Sequence, residues 1–394
     1  MFLAVLGRQS EISLAELESI YGAANLTPLS NQLALINTPS LDLSRLGGTI
    51  KAGKIISEPL LDYLANLPPG KITLGFSDYS PSVTAKSAQM QALKLKSVLK
   101  RRGRSVRIVP NNSSAALSSA TSHHNQLGEK VNHIEVINYQ KYTALSIGTQ
   151  NITAYAKRDQ ARPARDAYVG MLPPKLAQIL VNLATGPQTS GLLLDPFCGT
   201  GTILQEALLM GYSVYGTDLS EKIVAYSQKN LDWLAGKHSL LLDYPQSRRG
   251  LSDVPRNDGR AERVQKQAVL AAGDATNFTW QQPIDFVASE TYLGQPFSAP
   301  PSDIKLKEVQ FTTKSILLSF LKNIHPQLKP NTPLALAIPA WRRPDHSFSH
   351  LNIVDEIQKL GYNVCKFKHA TPTDLLYYRE NQIVARQIIL LRKS

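Results

Sequence analysis

An α/β architecture, doubly wound in its C-terminal half and preceded by an α+β region, is predicted from three features of the sequence. From residue 192 onward, short apolar strands alternate with helical stretches. A glycine-rich turn follows the first of these strands. The first 160 residues instead mix short apolar runs with helices of amphipathic spacing. A chain of 394 residues has room for two or three domains, each burying its own core.

The N-terminal elements come first. Phe2 to Leu6 and Leu33 to Ile36 read as strands, with a helix-like stretch from Ser13 to Tyr21. The opening Met1 to Leu6 run lacks a basic leader and is too short for a signal peptide. Pro68-Pro69-Gly70 marks a loop before a strand at Lys71 to Phe76. Apolar Met90, Leu93, Leu95, Val98 and Leu99 recur at helical spacing over 86–102, interleaved with Lys94, Lys96, Lys100, Arg101 and Arg102, with Arg104 and Arg107 just beyond. Lys157, Arg158, Arg162 and Arg165 form a second basic stretch. The net charge is +13, which favours polyanions through steering and counterion release. Two basic clusters flanking one α/β unit exceed what solubility requires, and RNA phosphate contact is the reading they favour.

A helix then runs from Pro173 to about Ala184. Strand Leu192 to Asp195, helix Thr202 to Met210, strand Ser213 to Asp218 and helix Glu221 to Leu234 follow. Further strands fall near Ala268 to Ala272, Ile284 to Ser289 and Leu334 to Ile338. The stretch from Tyr244 to Gln267 is polar, without apolar periodicity, and reads as a mobile surface insertion. Leu375 to Arg379 and Gln382 to Leu391 read as a closing hairpin, which is not the usual ending of a dehydrogenase. Hydrophobic residues make up 43% of the chain without any run long enough to span a membrane. Two distant cysteines, Cys198 and Cys365, exclude a disulfide framework and suit a reducing cytoplasm.

The strongest local signal is Asp195-Pro-Phe197-Cys-Gly199-Thr-Gly201-Thr202, placed between a strand and a helix. Glycines at such a turn let the backbone approach a ligand, and the helix N-terminus favours a negative group. The third glycine of a dinucleotide fingerprint is replaced by Leu204, and no phosphate-loop lysine is present. Asp218 ends the next strand, where an acid commonly holds ribose hydroxyls, and Asp274 follows the third, where it would accept from an adenine amino group. Alternatively Asp218 caps a helix and Asp274 sits in a turn. An acid at each strand end suits an adenosine bearing a sulfonium methionine better than a pyrophosphate.

Asp195 through Ala207 resembles the cofactor loop of THUMP-domain RNA methyltransferases, especially the tRNA guanine-N2 branch. Arg162 to Ala184 looks like that branch's inter-domain segment, and Leu117-Ser-Ser-Ala-Thr-Ser-His-His-Asn-Gln-Leu127 is similar to a THUMP segment. The resemblance implies a ferredoxin-like domain over 1–65, a THUMP RNA-binding domain over 66–160 and a class I (Rossmann-like) methyltransferase domain over 161–394. It also implies S-adenosylmethionine as cofactor, bound by Asp195, Phe197, Gly199, Gly201, Thr202, Asp218 and Asp274. Transfer from it to the N2 amine of a guanosine in tRNA is the activity implied. Lys100, Arg101, Arg102, Arg104, Lys157, Arg158 and Arg162 would bind the RNA.

Amino-methylating families carry an Asp or Asn, two prolines and an aromatic after the fourth strand. Aligned on Tyr292, Ser289 takes the acidic position here, while Glu290 and Thr291 replace the prolines. Either Ser289 or Glu290 is expected to accept from the amine, with Tyr292 as the stacking surface. Methylation of another amine, such as adenine N6, and an impaired RNA-binding relative are the alternatives. His123-His124 lacks partners at ligand spacing, so no metal is expected, and RNA or surface contact is the reading. Trp341-Arg342-Arg343 either lines an RNA channel or sits at a core edge. Cys198 has no base nearby and reads as packing or cofactor contact.

Overall fold

The computed structural model describes residues 1–166, 172–241, 267–371 and 373–394. The proposed polar insertion therefore lies outside the described residues, apart from Gln267. Two compact units are present. One comprises Met1–Leu14 with Tyr21–Ile152, the other Ala15–Ile20 with Thr153–Ser394.

The first unit is built on one eight-stranded sheet. Its strands are β1 (Phe2–Leu6), β2 (Leu26–Ser30), β3 (Leu33–Ile36), β4 (Thr49–Ile55), β5 (Ile72–Asp78), β6 (Val106–Ile108), β7 (His133–Tyr139) and β8 (Tyr142–Thr149), with helix α1 (Ser10–Tyr21) after β1. The order is β2-β3-β1-β4-β8-β7-β5-β6, so strands from before and after residue 65 are hydrogen-bonded into a single sheet. Short α2 (Leu60–Ala65) precedes β5, and α3 (Ala85–Arg101) crosses from β5 to its parallel neighbour β6. A reciprocal cap between Thr84 and Ser87 starts α3. Its Ala88, Ala92 and Leu99 pack on Ile72, Leu74, Phe76 and Val136. Met90 and Leu93, which the helical spacing would also turn inward, are instead about half exposed.

A charged knot lies inside this unit. Lys51 on β4 and Glu135 on β7 meet at 2.6 Å across β8, and both side chains are buried. Ser77 donates to the same carboxylate oxygen at 2.6 Å and accepts from the Leu117 amide at 2.9 Å. Lys51 also donates to the Leu117 carbonyl. The knot thus fastens the approach to α4 (Ser119–His124) onto the sheet. Burial pulls the Lys51 ammonium below its ordinary pKa, while Glu135 opposes that shift.

The second unit opens with α5 (Ile152–Gln160) and α6 (Pro174–Thr185). It continues with β9 (Leu192–Asp195), α7 (Thr202–Leu209), β10 (Ser213–Asp218), α8 (Glu221–Leu241), β11 (Ala268–Ala272), β12 (Phe286–Glu290), α9 (Asp303–Ile324) and β13 (Pro333–Arg342). Then come β14 (Phe348–Ser349), α10 (Val354–Lys359), β15 (Tyr362–Val364), β16 (Leu376–Tyr377) and β17 (Val384–Lys393). The sheet order is β11-β10-β9-β12-β13-β17-β15. The first five strands run parallel, and β17 inserts antiparallel between β13 and β15. A parallel 3-2-1-4-5 sheet closed by one reversed strand is the class I methyltransferase topology. The hairpin read from the sequence is β16 paired with β17. Leu194, Val287, Leu317, Phe320, Leu336 and Trp341 form the core beneath α9. Trp341 is therefore a core residue, fully buried, and not part of any channel lining. Among the described residues no helix is long and apolar enough to cross a membrane.

Removing one member of the buried ion pair should cost far more than removing both charges. Lys51→Met is expected to destabilise the protein by about 3–5 kcal/mol in urea unfolding. Lys51→Met/Glu135→Gln should recover most of that loss.

Candidate active site

The end of β9 is the focus of the second unit. Asp195 is 1% exposed, and its Oδ1 accepts from the Phe197 amide at 3.3 Å and from Ser289 Oγ at 2.6 Å. Burial raises its carboxyl to about 8, helped by Asp218 and Glu290, while the two hydrogen bonds pull the other way. The turn beyond is tightly strung. Gly199 N donates to Asp218 Oδ2 at 3.1 Å, Ser227 Oγ donates to Gly199 O at 2.7 Å, and Asn230 Nδ2 donates to Thr200 O at 2.9 Å. Gly201 begins α7 at φ 82°, a left-handed conformation, and a Cβ there would lie 2.9 Å from Ser227 Oγ.

Asp218 accepts from Ser220 N as well as Gly199 N, so its helix-capping role and its place beside the glycine turn coexist. Burial raises its carboxyl despite both bonds. Leu219 beside it is a strongly exposed aliphatic residue, which the sequence reading passed over. At the end of β11, Gly273 N donates to Asp218 O at 2.9 Å. Asp274 Oδ1 accepts from Thr276 N and Oγ1, making it a turn residue at the same sheet edge. β9, β10 and β11 are neighbours, so the Gly turn and the acids Asp218 and Asp274 line one edge of the sheet. A bent backbone, two partly buried carboxylates and an exposed aliphatic side chain fit an adenosine.

The neighbouring β12 carries the second half of the site. Ser289 is fully buried with its hydroxyl committed to Asp195. Glu290 accepts at Oε1 from Arg386 Nε of β17 at 2.7 Å, and its side chain keeps 13% exposure. Arg386 was not singled out from the sequence; its only signal there is a cation within an apolar strand. The Thr291 amide donates to Ala337 O, which fixes the chain as it leaves the sheet. Tyr292 follows, 43% exposed. Gly294, at φ 82°, lies so close to α9 that a Cβ would sit 2.5 Å from Val309.

The basic residues separate into two groups. Lys100, Arg101 and Lys157 are exposed, Arg102 pairs with Asp62 at the surface, and Arg104 donates to Pro68 O. Arg158 and Arg162, expected at an RNA surface, are corrected here: both are buried inside the second unit. Arg158 grips Glu206 through Nε and Nη2 at 2.7 and 3.2 Å, and Arg162 donates to Thr202 Oγ1. A phosphate backbone cannot reach either. Cys198 is buried, with its thiol pushed well above the ordinary pKa chiefly by desolvation. His123 and His124 sit with ring centroids 6.1 Å apart, and the described residues contain no cluster of three metal-binding side chains.

Comparison with known proteins agrees with the sheet order. Residues 162–308 match a family model described as an RMKL-like methyltransferase domain, and residues 94–229 match one described as DNA methylase. A tRNA (guanine(10)-N2)-dimethyltransferase of Methanothermobacter thermautotrophicus is 28% identical over 185 residues, 46% of this chain and 44% of that protein. Its Pyrococcus abyssi counterpart is 44% identical over 66 residues, 17% of this chain and 19% of that one. This chain thus matches less than half the length of these relatives. Among solved structures, TrmN from Thermus thermophilus aligns over 100% of this chain and 99% of its own, at 16% identity and a TM-score of 0.46. Fold and family match agree on the class: the described strands have the class I methyltransferase topology, and residues 162–308 match a methyltransferase domain model. The two relatives above carry the name tRNA (guanine(10)-N2)-dimethyltransferase.

The raised Asp195 carboxyl has a measurable consequence for stability. Its folded pKa, about 8, lies above the ordinary 3.8. The folded state therefore holds an extra proton between those values, and stability falls as pH rises through that window. Asp195→Asn keeps an oxygen for Ser289 and Phe197 without the charge. Urea unfolding at pH 5, 7 and 9 should show the variant gaining on the wild-type protein up to about pH 8 and holding that margin above it.

Proposed function

We propose that the protein methylates the exocyclic N2 amine of a guanosine in tRNA, using S-adenosylmethionine. The observation that carries this is Glu290, a carboxylate held by Arg386 at the end of β12, partly exposed and two residues from the exposed Tyr292. The names borne by the curated relatives supply the choice of guanine N2 and of tRNA.

Asp195, Phe197, Gly199, Gly201 and Thr202 would shape the donor pocket, with Asp218 on the ribose hydroxyls, Asp274 toward the adenine amine and Leu219 against the adenine face. S-adenosylmethionine bound there supplies a methyl group on a positively charged sulfur. The N2 lone pair of guanine is delocalised into the ring, so the protein must aim the amine and stabilise positive charge growing on it. Glu290 would accept an N–H from the amine and take its proton as the N–C bond forms. Tyr292 would hold the extruded base flat. Ser289, turned into the interior, would instead keep Asp195 and β12 in register.

The N-terminal unit would serve as the ferredoxin-like and THUMP RNA-binding region, with Lys100, Arg101, Arg102 and Arg104 contacting phosphates. Lys157 would do so from the methyltransferase unit. We place the reaction in the cytoplasm, where the two unpaired cysteines would stay reduced. A second reading, methylation of an adenine amine, draws on the match to the DNA methylase model.

Incubation of the protein with unmodified tRNA and methyl-labelled S-adenosylmethionine should place label in N2-methylated guanosine. Label in methyladenosine would establish the second reading, and tRNA binding without transfer would mean an impaired enzyme. Glu290→Gln is expected to lower kcat about 10²–10³-fold with donor affinity unchanged by calorimetry, and Ser289→Ala to cost less. A full-rate Glu290→Gln enzyme would remove Glu290 from the mechanism.

A further inference from the structure

At the outer end of β13, beyond Glu290 and Tyr292, a cation is stacked on two rings. The Arg342 guanidinium carbon lies 5.3 Å from the centre of the Phe348 ring and 5.6 Å from that of Tyr378. The two rings are 5.0 Å apart and tilted by 47°. Arg342 Nη1 donates to the Glu380 carbonyl, and the Arg342 amide donates to Ile383 O at 2.7 Å. Its Nε is buried without a hydrogen-bond acceptor, and among the described residues no carboxylate pairs with the guanidinium.

Three chain segments meet in this cluster. Phe348 of β14 stands directly opposite Arg342 in the ladder, and Tyr378 follows β16. Tyr378 keeps 38% exposure, so ring surface is left facing solvent. One turn of α9 ties the cluster to the loop after β12. Val309 packs against Gly294, two residues past Tyr292. Gln310, the next residue, donates to Ser349 Oγ at 3.0 Å, beside Phe348. On the other side, Tyr377 is paired in register with Arg386, the arginine that holds Glu290.

Ring faces edged by a guanidinium suit an unpaired nucleobase, which stacks on aromatic side chains whatever its identity. Arg342, Arg343 and Arg379 outnumber Asp345 and Glu380 around the rings, so the rim favours a polyanion. A base drawn out onto Tyr292 also leaves its neighbour in the strand without a stacking partner, and a second ring surface close by offsets that loss. We propose that Phe348, Tyr378 and Arg342 form a stacking subsite for the nucleobase adjoining the one held on Tyr292. This rests on reading Glu290 and Tyr292 as the base pocket.

The test is fluorescence anisotropy of unmodified tRNA with the full chain. Tyr378→Ala should bind the tRNA about tenfold weaker or more, with affinity for S-adenosylmethionine unchanged by calorimetry. Tyr378→Phe should bind as the wild type does. Tyr378→Leu, which keeps apolar cover on Phe348 but has no ring, should be as weak as the alanine variant. The slope of log affinity against log salt should be the same in all of them, since no phosphate contact is removed. During turnover the loss should fall on KM more than on kcat. A Tyr378→Ala protein that binds tRNA at full affinity, or a Tyr378→Leu protein that recovers it, means that the rings only brace the turn. Either result overturns the subsite and leaves the base pocket standing. If the wild-type protein binds no tRNA, the RNA reading itself fails and takes the subsite with it.

Discussion

The buried carboxylate of Asp195 is the joint on which the second unit turns. One oxygen receives the Phe197 amide, which begins the glycine turn, and the Ser289 hydroxyl, which belongs to the next strand over. A single atom therefore sets the spacing between the glycine turn and the end of β12. Because the group is almost fully buried and close to Asp218 and Glu290, it resists ionisation. The same site that needs a fixed hydrogen-bond acceptor thus carries a group whose charge is costly, a strain typical of functional positions.

The charged groups at the end of β12 are arranged around this joint. With Ser289 in the place where an acid was expected, the negative group moves one residue on, to Glu290, and that shift reverses the side of the strand it projects from. Arg386 compensates. It reaches Glu290 from β17, two strands away in the sheet, and holds the carboxylate where it leaves β12. A largely desolvated pair of this kind stabilises little in itself, because desolvation offsets most of the attraction. What it supplies is direction.

Much of this was legible in the residues. The parallel strands β9, β10 and β11 follow their apolar runs to the residue, and in β9 and β10 burial of consecutive residues on both faces leaves little ambiguity. The glycine turn was equally clear, because few residues tolerate φ near 82°. Long-range pairing was not. Nothing in local pattern says that Arg386 meets Glu290 or that Lys51 meets Glu135, since such partners are fixed by strand order. Arg158 and Arg162 misled for a related reason: a basic run reads as solvated, yet at helical spacing two of its members turned inward to Glu206 and Thr202. Helix α9 went unread because exposed Ile304 and Phe311 blur its apolar stripe.

The reversed strand β17 sets when the Glu290–Arg386 pair can form. Arg386 lies 96 residues beyond its partner Glu290. During synthesis the glycine turn and its neighbouring acids leave the ribosome well before that arginine does. The glycine turn and its acids on β9, β10 and β11 are thus made before the Glu290–Arg386 pair can close, which waits until β17 enters the sheet.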